Sequence, residues 1–179
     1  MIHQSIIINK TNIIANNNIQ KNTIILISKN NYIAKNYHTP ALDIIYQMIN
    51  DNEKQLFPRD DDKYNLDKDY IKILEYELKN CSSKYKFFFN KISYEIIKQY
   101  YAKYIFNAFT GSIINILGAR FNHNCNHNIK YISKNNEMIF ITNRDIKKGE
   151  ELFNNYLLNK KIDSKHNYIK KHYDFICKC

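Results

Sequence analysis

The stretch R-F-N-H-N-C-N-H-N, from Arg120 to Asn128, interleaves two histidines and one cysteine with asparagines. Thiolate and imidazole are the ligands that zinc prefers, four to a tetrahedron. A second source of sulfur lies at the far end of the chain, where Cys177 and Cys179 form a C-x-C pair. Cys125 with that pair gives a three-sulfur start, and His123 or His127 can supplement it. The remote spacing does not decide the matter: free thiols packed as small apolar groups account for the same residues. Tyr156, shortly after the Gly149-Glu150-Glu151 turn, is a second candidate for chemistry. A tyrosine in a chain that holds fifteen is ordinarily a core residue, and nothing beside it overturns that reading.

These residues must be carried by local structure. Ser5–Asn9, Ile13–Ala15 and Thr23–Ser28 are short isoleucine-rich runs separated by asparagines, which predicts strands. The run Asn16-Asn17-Asn18 suits a turn, because asparagine tolerates left-handed backbone. At Thr39-Pro40 the pattern changes to an N-cap, a proline at the first helical turn and an apolar stripe. Ile71, Leu74 and Leu78 share one helical face, as do Ile97, Tyr101, Tyr104 and Ile105, with Ser93 as the cap of the second helix. Residues from about 40 to 106 therefore read as a helical block. Strands return at Asn128–Ser133 and Met138–Thr142, a hairpin around K-N-N-E, and Gly149 supplies the positive φ of a tight turn. The tail from Lys160 reads as a short amphipathic helix. The class is α+β, mainly β.

Composition narrows the rest. At 179 residues, 44% hydrophobic and 14% aromatic, the chain is long enough for one domain with a real core. No apolar run approaches the roughly 20 residues of a membrane helix, and the start lacks a signal-peptide pattern. A soluble intracellular protein, nuclear or cytoplasmic, with reduced or metal-bound thiols is expected. A net charge of +10 invites a nucleic-acid reading. The abundance of Asn, Lys, Ile and Tyr instead matches an A+T-rich genome, as in a protozoan, an endosymbiont or a large DNA virus. The lysines are spread along the chain, so weak nonspecific attraction is the expectation.

Four segments occur in order: F-N-A-F, then R-F-N-H-N-C-N-H-N, then N-R-D-I-K-K-G-E-E-L-F-N-N-Y-L, then Y-D-F-I-C-K-C. Their order and spacing resemble the C-terminal half of the SET-domain protein lysine methyltransferases. The loop resembles the motif N-H-S-C-x-P-N, and Arg144–Tyr156 is similar to R-D-I-x-x-G-E-E-L-x-x-x-Y. I-I-A-N-N-N-I-Q-K-N-T-I-I-L, from Ile13, looks like the family's opening strands. Residues 107–179 carry the strongest likeness, closest to a minimal SET-and-MYND-like SET domain without the MYND finger.

The resemblance implies a single SET domain over 1–179. Residues 1–39 would be N-terminal strands, 40–106 a helical insert, 107–159 the C-terminal part with a pseudoknot, and 160–179 a post-SET-like cysteine segment. It implies S-adenosylmethionine as cofactor and a lysine ε-amine, of a histone or another protein, as methyl acceptor. Tyr156 would be catalytic. Asn12, Asn107, Phe121, Asn122, His123, Tyr156 and Phe175 would contact the cofactor, and Phe109 with Tyr156 the substrate lysine. Cys125, Cys177 and Cys179 would hold zinc, with His127 or the terminal carboxylate at the fourth position. Three departures stand out. Lys10-Thr11-Asn12 replaces an early G-x-G, the zinc set is one cysteine short, and Asn154 lies two residues before Tyr156. Two other functions remain open at this stage: a catalytically inactive SET-like protein-binding module, and a zinc-stabilised basic nucleic-acid binder. No membrane association is expected, and the oligomeric state is not legible.

Overall fold

The computed structural model describes residues 1–36, 38–58, 64, 66–157, 165–173 and 175–177, with only the backbone of Lys165 and His166. Cys179, the aspartates at 60–62 and the first part of the tail lie outside the described residues. In chain order the first elements are β1 (Ile6–Ile8), β2 (Ile13–Ala15), β3 (Ile24–Lys29), β4 (Tyr32–Ile33) and α1 (Pro40–Asn50). Then come α2 (Lys68–Asn80), α3 (Ser83–Phe89), α4 (Tyr94–Asn107), β5 (Ala108–Phe109) and β6 (Ile113–Ile114). A 3-10 turn at Gly118–Arg120 precedes β7 (Asn122–His123), β8 (Ile129–Lys134), β9 (Glu137–Thr142), β10 (Phe153–Asn154) and α5 (Lys165–Tyr173).

The chain divides into two compact units. The first comprises Met1–Asn30, Asn115–His166 and Cys177–Cys179. Its main sheet has the antiparallel order β3-β9-β8. The hairpin β8–β9 turns at Asn135 and Asn136, both with positive φ (51° and 63°), the geometry of a two-residue primed turn. Along β9 the buried residues alternate, Met138, Phe140 and Thr142 facing in, as a strand with one covered face requires. Phe140 packs on the ring of Phe121 at 4.7 Å. A Cβ on Gly118 would stand 2.5 Å from Phe140 Cζ, so only glycine fits there. β1 and β2 form an antiparallel pair, and β2 is tied to the Gly149 turn: Ala15 N–H donates to the Glu150 carbonyl at 2.9 Å and Gly149 N–H to that of Ala15 at 2.8 Å. Gly149 has φ 83°, as the turn demands, and the Arg144–Glu150 ion pair closes the same turn.

The second unit comprises Asn31–Ile114 and Asn167–Ile176. It holds the antiparallel sheet β4-β6-β5 and the helices of the predicted helical block. α1 starts at the expected Thr39-Pro40, but Thr39 makes no side-chain cap; its hydroxyl accepts from Asn36 Nδ2 at 3.0 Å. Ser93 does cap α4, accepting from Ile96 N–H at 3.4 Å. The short helix α3 has no counterpart in the sequence reading. Its aromatics, Tyr85 and Phe89 buried and Phe88 against Tyr46 at 4.6 Å, form a cluster rather than a regular stripe. α5 joins α2 through Lys171, which pairs with Asp69 at 2.7 Å. Among the described residues no helix is long and apolar enough to cross a membrane.

Candidate functional site

The loop after Arg120 is built from asparagine amides that complete the backbone around them. β7 and β10 lie side by side as parallel strands, with Phe153 opposite Asn122 and Asn154 opposite His123. Asn128, fully buried, accepts from Phe153 N–H at 2.7 Å and donates to the Glu151 carbonyl at 2.8 Å. Asn122 Nδ2 donates to the Thr11 carbonyl at 3.1 Å and to Glu151 Oε1 at 2.7 Å. Asn124 Oδ1 accepts from Asn126 N–H at 2.8 Å, an Asx-type turn. An amide side chain both donates and accepts, so each can satisfy main-chain groups that two short strands leave unpaired.

Tyr156 follows β10 and is held at both ends. Its hydroxyl donates to the Phe121 carbonyl at 3.0 Å, and its N–H donates to His123 Nδ1 at 3.1 Å. The rings of His123 and Tyr156 are 5.3 Å apart. Burial, with a smaller contribution from His127, pushes the His123 imidazole down to about 4, so it is neutral near pH 7. The ring of Phe121 is fully buried, so only its main chain can face a ligand.

On its other side, His123 Nε2 lies 3.5 Å from Cys125 Sγ, which in turn lies 3.7 Å from Cys177 Sγ. The ligand atoms of these three residues fall within 4.8 Å of one another. Two thiolates at about 2.3 Å from a tetrahedral zinc are roughly 3.8 Å apart, so the sulfur pair fits that ion. Cys177 is disulfide-bonded here, against the expectation of reduced thiols, and would need reduction to become a ligand. His127 Nδ1 stands 3.5 Å from the Cys125 carbonyl, and the group around the sulfurs is joined by His123.

Arg120 escaped the sequence reading. Its Nη1 donates to the carbonyls of Asn9 and Lys10 at 3.0 and 2.8 Å, and its Nε is buried without a hydrogen-bond partner among the described residues. The turn it holds is closed by Asn9 N–H to the Asn12 carbonyl at 2.9 Å and by Asn9 Nδ2 to Asn12 Oδ1 at 2.8 Å. No residue of this turn has a positive φ, so Lys10-Thr11-Asn12 carries no strain for want of glycine. Arg120 opens the R-F-N-H-N-C-N-H-N stretch, but its residue type gave no sign of the carbonyls it reaches.

The remaining expected residues belong to the second unit. Asn107, the last residue of α4, is buried and its Nδ2 donates to the Lys103 carbonyl at 2.7 Å and to that of Phe57. Phe109 sits half-buried in β5, and Phe175 is partly exposed, 6.5 Å from the Tyr173 ring.

Comparison with known proteins agrees with the motifs. The sequence model of the SET domain matches residues 11–157. A SET domain-containing protein, L678 of Acanthamoeba polyphaga mimivirus, is 36% identical over 150 residues, 76% of this chain and 58% of that protein. A SET and MYND domain-containing protein of Dictyostelium discoideum is 41% identical over 64 residues, 33% of this chain and 11% of that one. Among solved structures, the SET domain of LSMT bound to lysine and AdoHcy superposes with a TM-score of 0.61 at 12% identity, covering 98% of this chain and 54% of that one. At that identity the likeness concerns the fold, which is that of small sheets and helices described above. The chain thus spans a little over half the length of the mimivirus relative and of that solved chain.

Proposed function

Because the chain belongs to the SET-domain family, we propose that it transfers a methyl group from S-adenosylmethionine to the ε-amine of a protein lysine. The observation that carries this reading is the anchoring of Tyr156. Its hydroxyl is held by the Phe121 carbonyl directly before the Asn122–His123 pair. A bound S-adenosylmethionine supplies an electrophilic methyl on a sulfonium. The chain must then hold a neutral amine in line with it, and free lysine has a pKa of about 10.4. A fixed tyrosine oxygen orients such an amine after its proton has left, and positioning of this kind is worth up to about 7–11 kcal/mol in ideal cases.

The first unit fits such a cofactor in one respect. The buried Nε of Arg120 beside the Asn9–Asn12 turn, without a hydrogen-bond partner among the described residues, is a donor that a carboxylate would satisfy. In this reading Asn12, Phe121, Asn122 and His123 present main-chain groups to the cofactor. Tyr156 orients the lysine amine. Cys125, with Cys177 once that residue is reduced, holds zinc together with Cys179 and a fourth donor. The substrate is a lysine-bearing protein, histone or not.

Calorimetric titration with S-adenosylmethionine, followed by a radiolabelled methyl-transfer screen on protein substrates, tests the proposal. Micromolar binding and label on lysine support it. A folded protein that binds no cofactor refutes it, and the chain is then a SET-shaped binding module.

A further inference from the structure

His123 is in reach of two different neighbours, and one proton decides what it does for each. Nδ1 accepts the main-chain N–H of Tyr156 at 3.1 Å, and a nitrogen that accepts an N–H carries no proton of its own. In a neutral imidazole the proton is then on Nε2, the nitrogen 3.5 Å from Cys125 Sγ. A protonated Nε2 donates to sulfur; it has no lone pair for a metal. Metal-bound histidines show the reverse arrangement, the free nitrogen donating its N–H to an acceptor. The distance alone does not separate the two cases, since about 3.5 Å is also the edge between sulfur and nitrogen in a tetrahedral zinc site. The Tyr156 amide does separate them: zinc on Nε2 would put two N–H donors face to face at Nδ1.

We infer that His123 is a positioning residue, a bracket that fixes the backbone of Tyr156 with one nitrogen and donates to the Cys125 sulfur with the other, and that it is not a metal ligand. Its effect on turnover rests on the methyl-transfer reading of Tyr156; the bracket itself does not. The geometry assigns the sulfur cluster a second task besides any metal it holds. Through the imidazole it fixes where the tyrosine backbone sits. Asparagine can place Oδ1 where Nδ1 stands, whereas glutamine reaches past that point, so the two substitutions separate a bracket from mere filling of space.

The test uses the full chain, reduced and 15N-labelled, with and without one equivalent of zinc ion. Long-range proton–nitrogen correlation spectra should show His123 Nδ1 unprotonated and Nε2 protonated in both samples. The Tyr156 amide proton should stay near its wild-type position in His123→Asn and move in His123→Gln. A proton on Nδ1 in either metal state overturns the inference, as does a Tyr156 amide that ignores both substitutions. In turnover, His123→Gln should lower kcat by about 10²-fold with KM little changed. His123→Asn should recover most of that loss, and equal losses in both variants count against the bracket. The wild-type spectra decide the tautomer even if a variant fails to fold. The expected tautomer in a protein that neither binds nor uses S-adenosylmethionine leaves the bracket standing and removes the methyl-transfer reading.

Discussion

The hydroxyl of Tyr156 donates to the main-chain carbonyl of Phe121 at 3.0 Å, and Phe121 is itself anchored by a ring sunk against Phe140. The acceptor is therefore part of the core, and the phenolic oxygen inherits its rigidity. Tyr156→Phe removes the oxygen and keeps the ring beside His123. Single-turnover methyl transfer should fall roughly 10²- to 10³-fold, the cost of losing one preorganised polar group at a reacting centre. Affinity for S-adenosylmethionine by calorimetry should be nearly unchanged. Undiminished transfer would remove Tyr156 from the chemistry.

The 3.7 Å between the sulfurs of Cys125 and Cys177 makes a second expectation. After reduction and desalting, the protein should bind about one equivalent of zinc, and Cys125→Ser should lose it, measured by atomic emission on the same samples. Protein left oxidised should bind little, since a disulfide sulfur is not a thiolate. Zinc retained in full by Cys125→Ser would place the metal elsewhere.

Much of this arrangement was legible in the residues, and the limits have physical causes. Isoleucine-rich runs bounded by asparagines placed β1, β2 and β3, and the Thr39-Pro40 start with its apolar stripe placed α1. Helical spacing placed α2 and α4, although α4 buries five consecutive residues, Tyr100 to Tyr104, rather than one stripe. The helix α3 was missed because its aromatics, at Tyr85, Phe88 and Phe89, crowd together without a clean period. The loop from Asn122 to Asn128 was legible as chemistry, yet its asparagines turn out to complete backbone bonding, Asn128 above all. Arg120 could not be found, because its importance lies in a buried Nε and in carbonyls more than a hundred residues away. The bond from Tyr156 N–H to His123 likewise depends on two strands pairing across a long separation, which no local pattern encodes.

Lys10-Thr11-Asn12, where the family has glycines, provides a third test. The turn is held by Arg120 and adopts no positive φ, so a glycine there gains no strain relief and frees the unfolded chain. Lys10→Gly should destabilise the protein by about 0.5–1 kcal/mol, read as a lower urea midpoint with unchanged slope. A stabilised variant would show that the native lysine is strained.

Glu77 yields a prediction about pH. It lies on α2 with Oε2 buried and without a hydrogen-bond partner among the described residues, and burial raises its carboxyl from 4.5 to about 7. The titratable groups facing it are Tyr101 and Tyr104 on α4 and Cys81 at the end of α2. Their hydroxyls and thiol are pushed upward by burial, and further by the Glu77 charge. All three lose their protons well above neutrality, so Glu77 alone of this group titrates below pH 8. Between pH 4.5 and about 7 the folded protein keeps a proton that the unfolded chain has released. Stability from this group is therefore complete below 4.5 and is lost as pH rises through about 7. Glu77→Gln keeps the shape and removes the titration. Relative to wild type, the variant's urea midpoint should rise steadily as pH increases across that window and then level off. A difference between the two proteins that stays constant with pH would mean that Glu77 is ionised throughout, its oxygen reached by water.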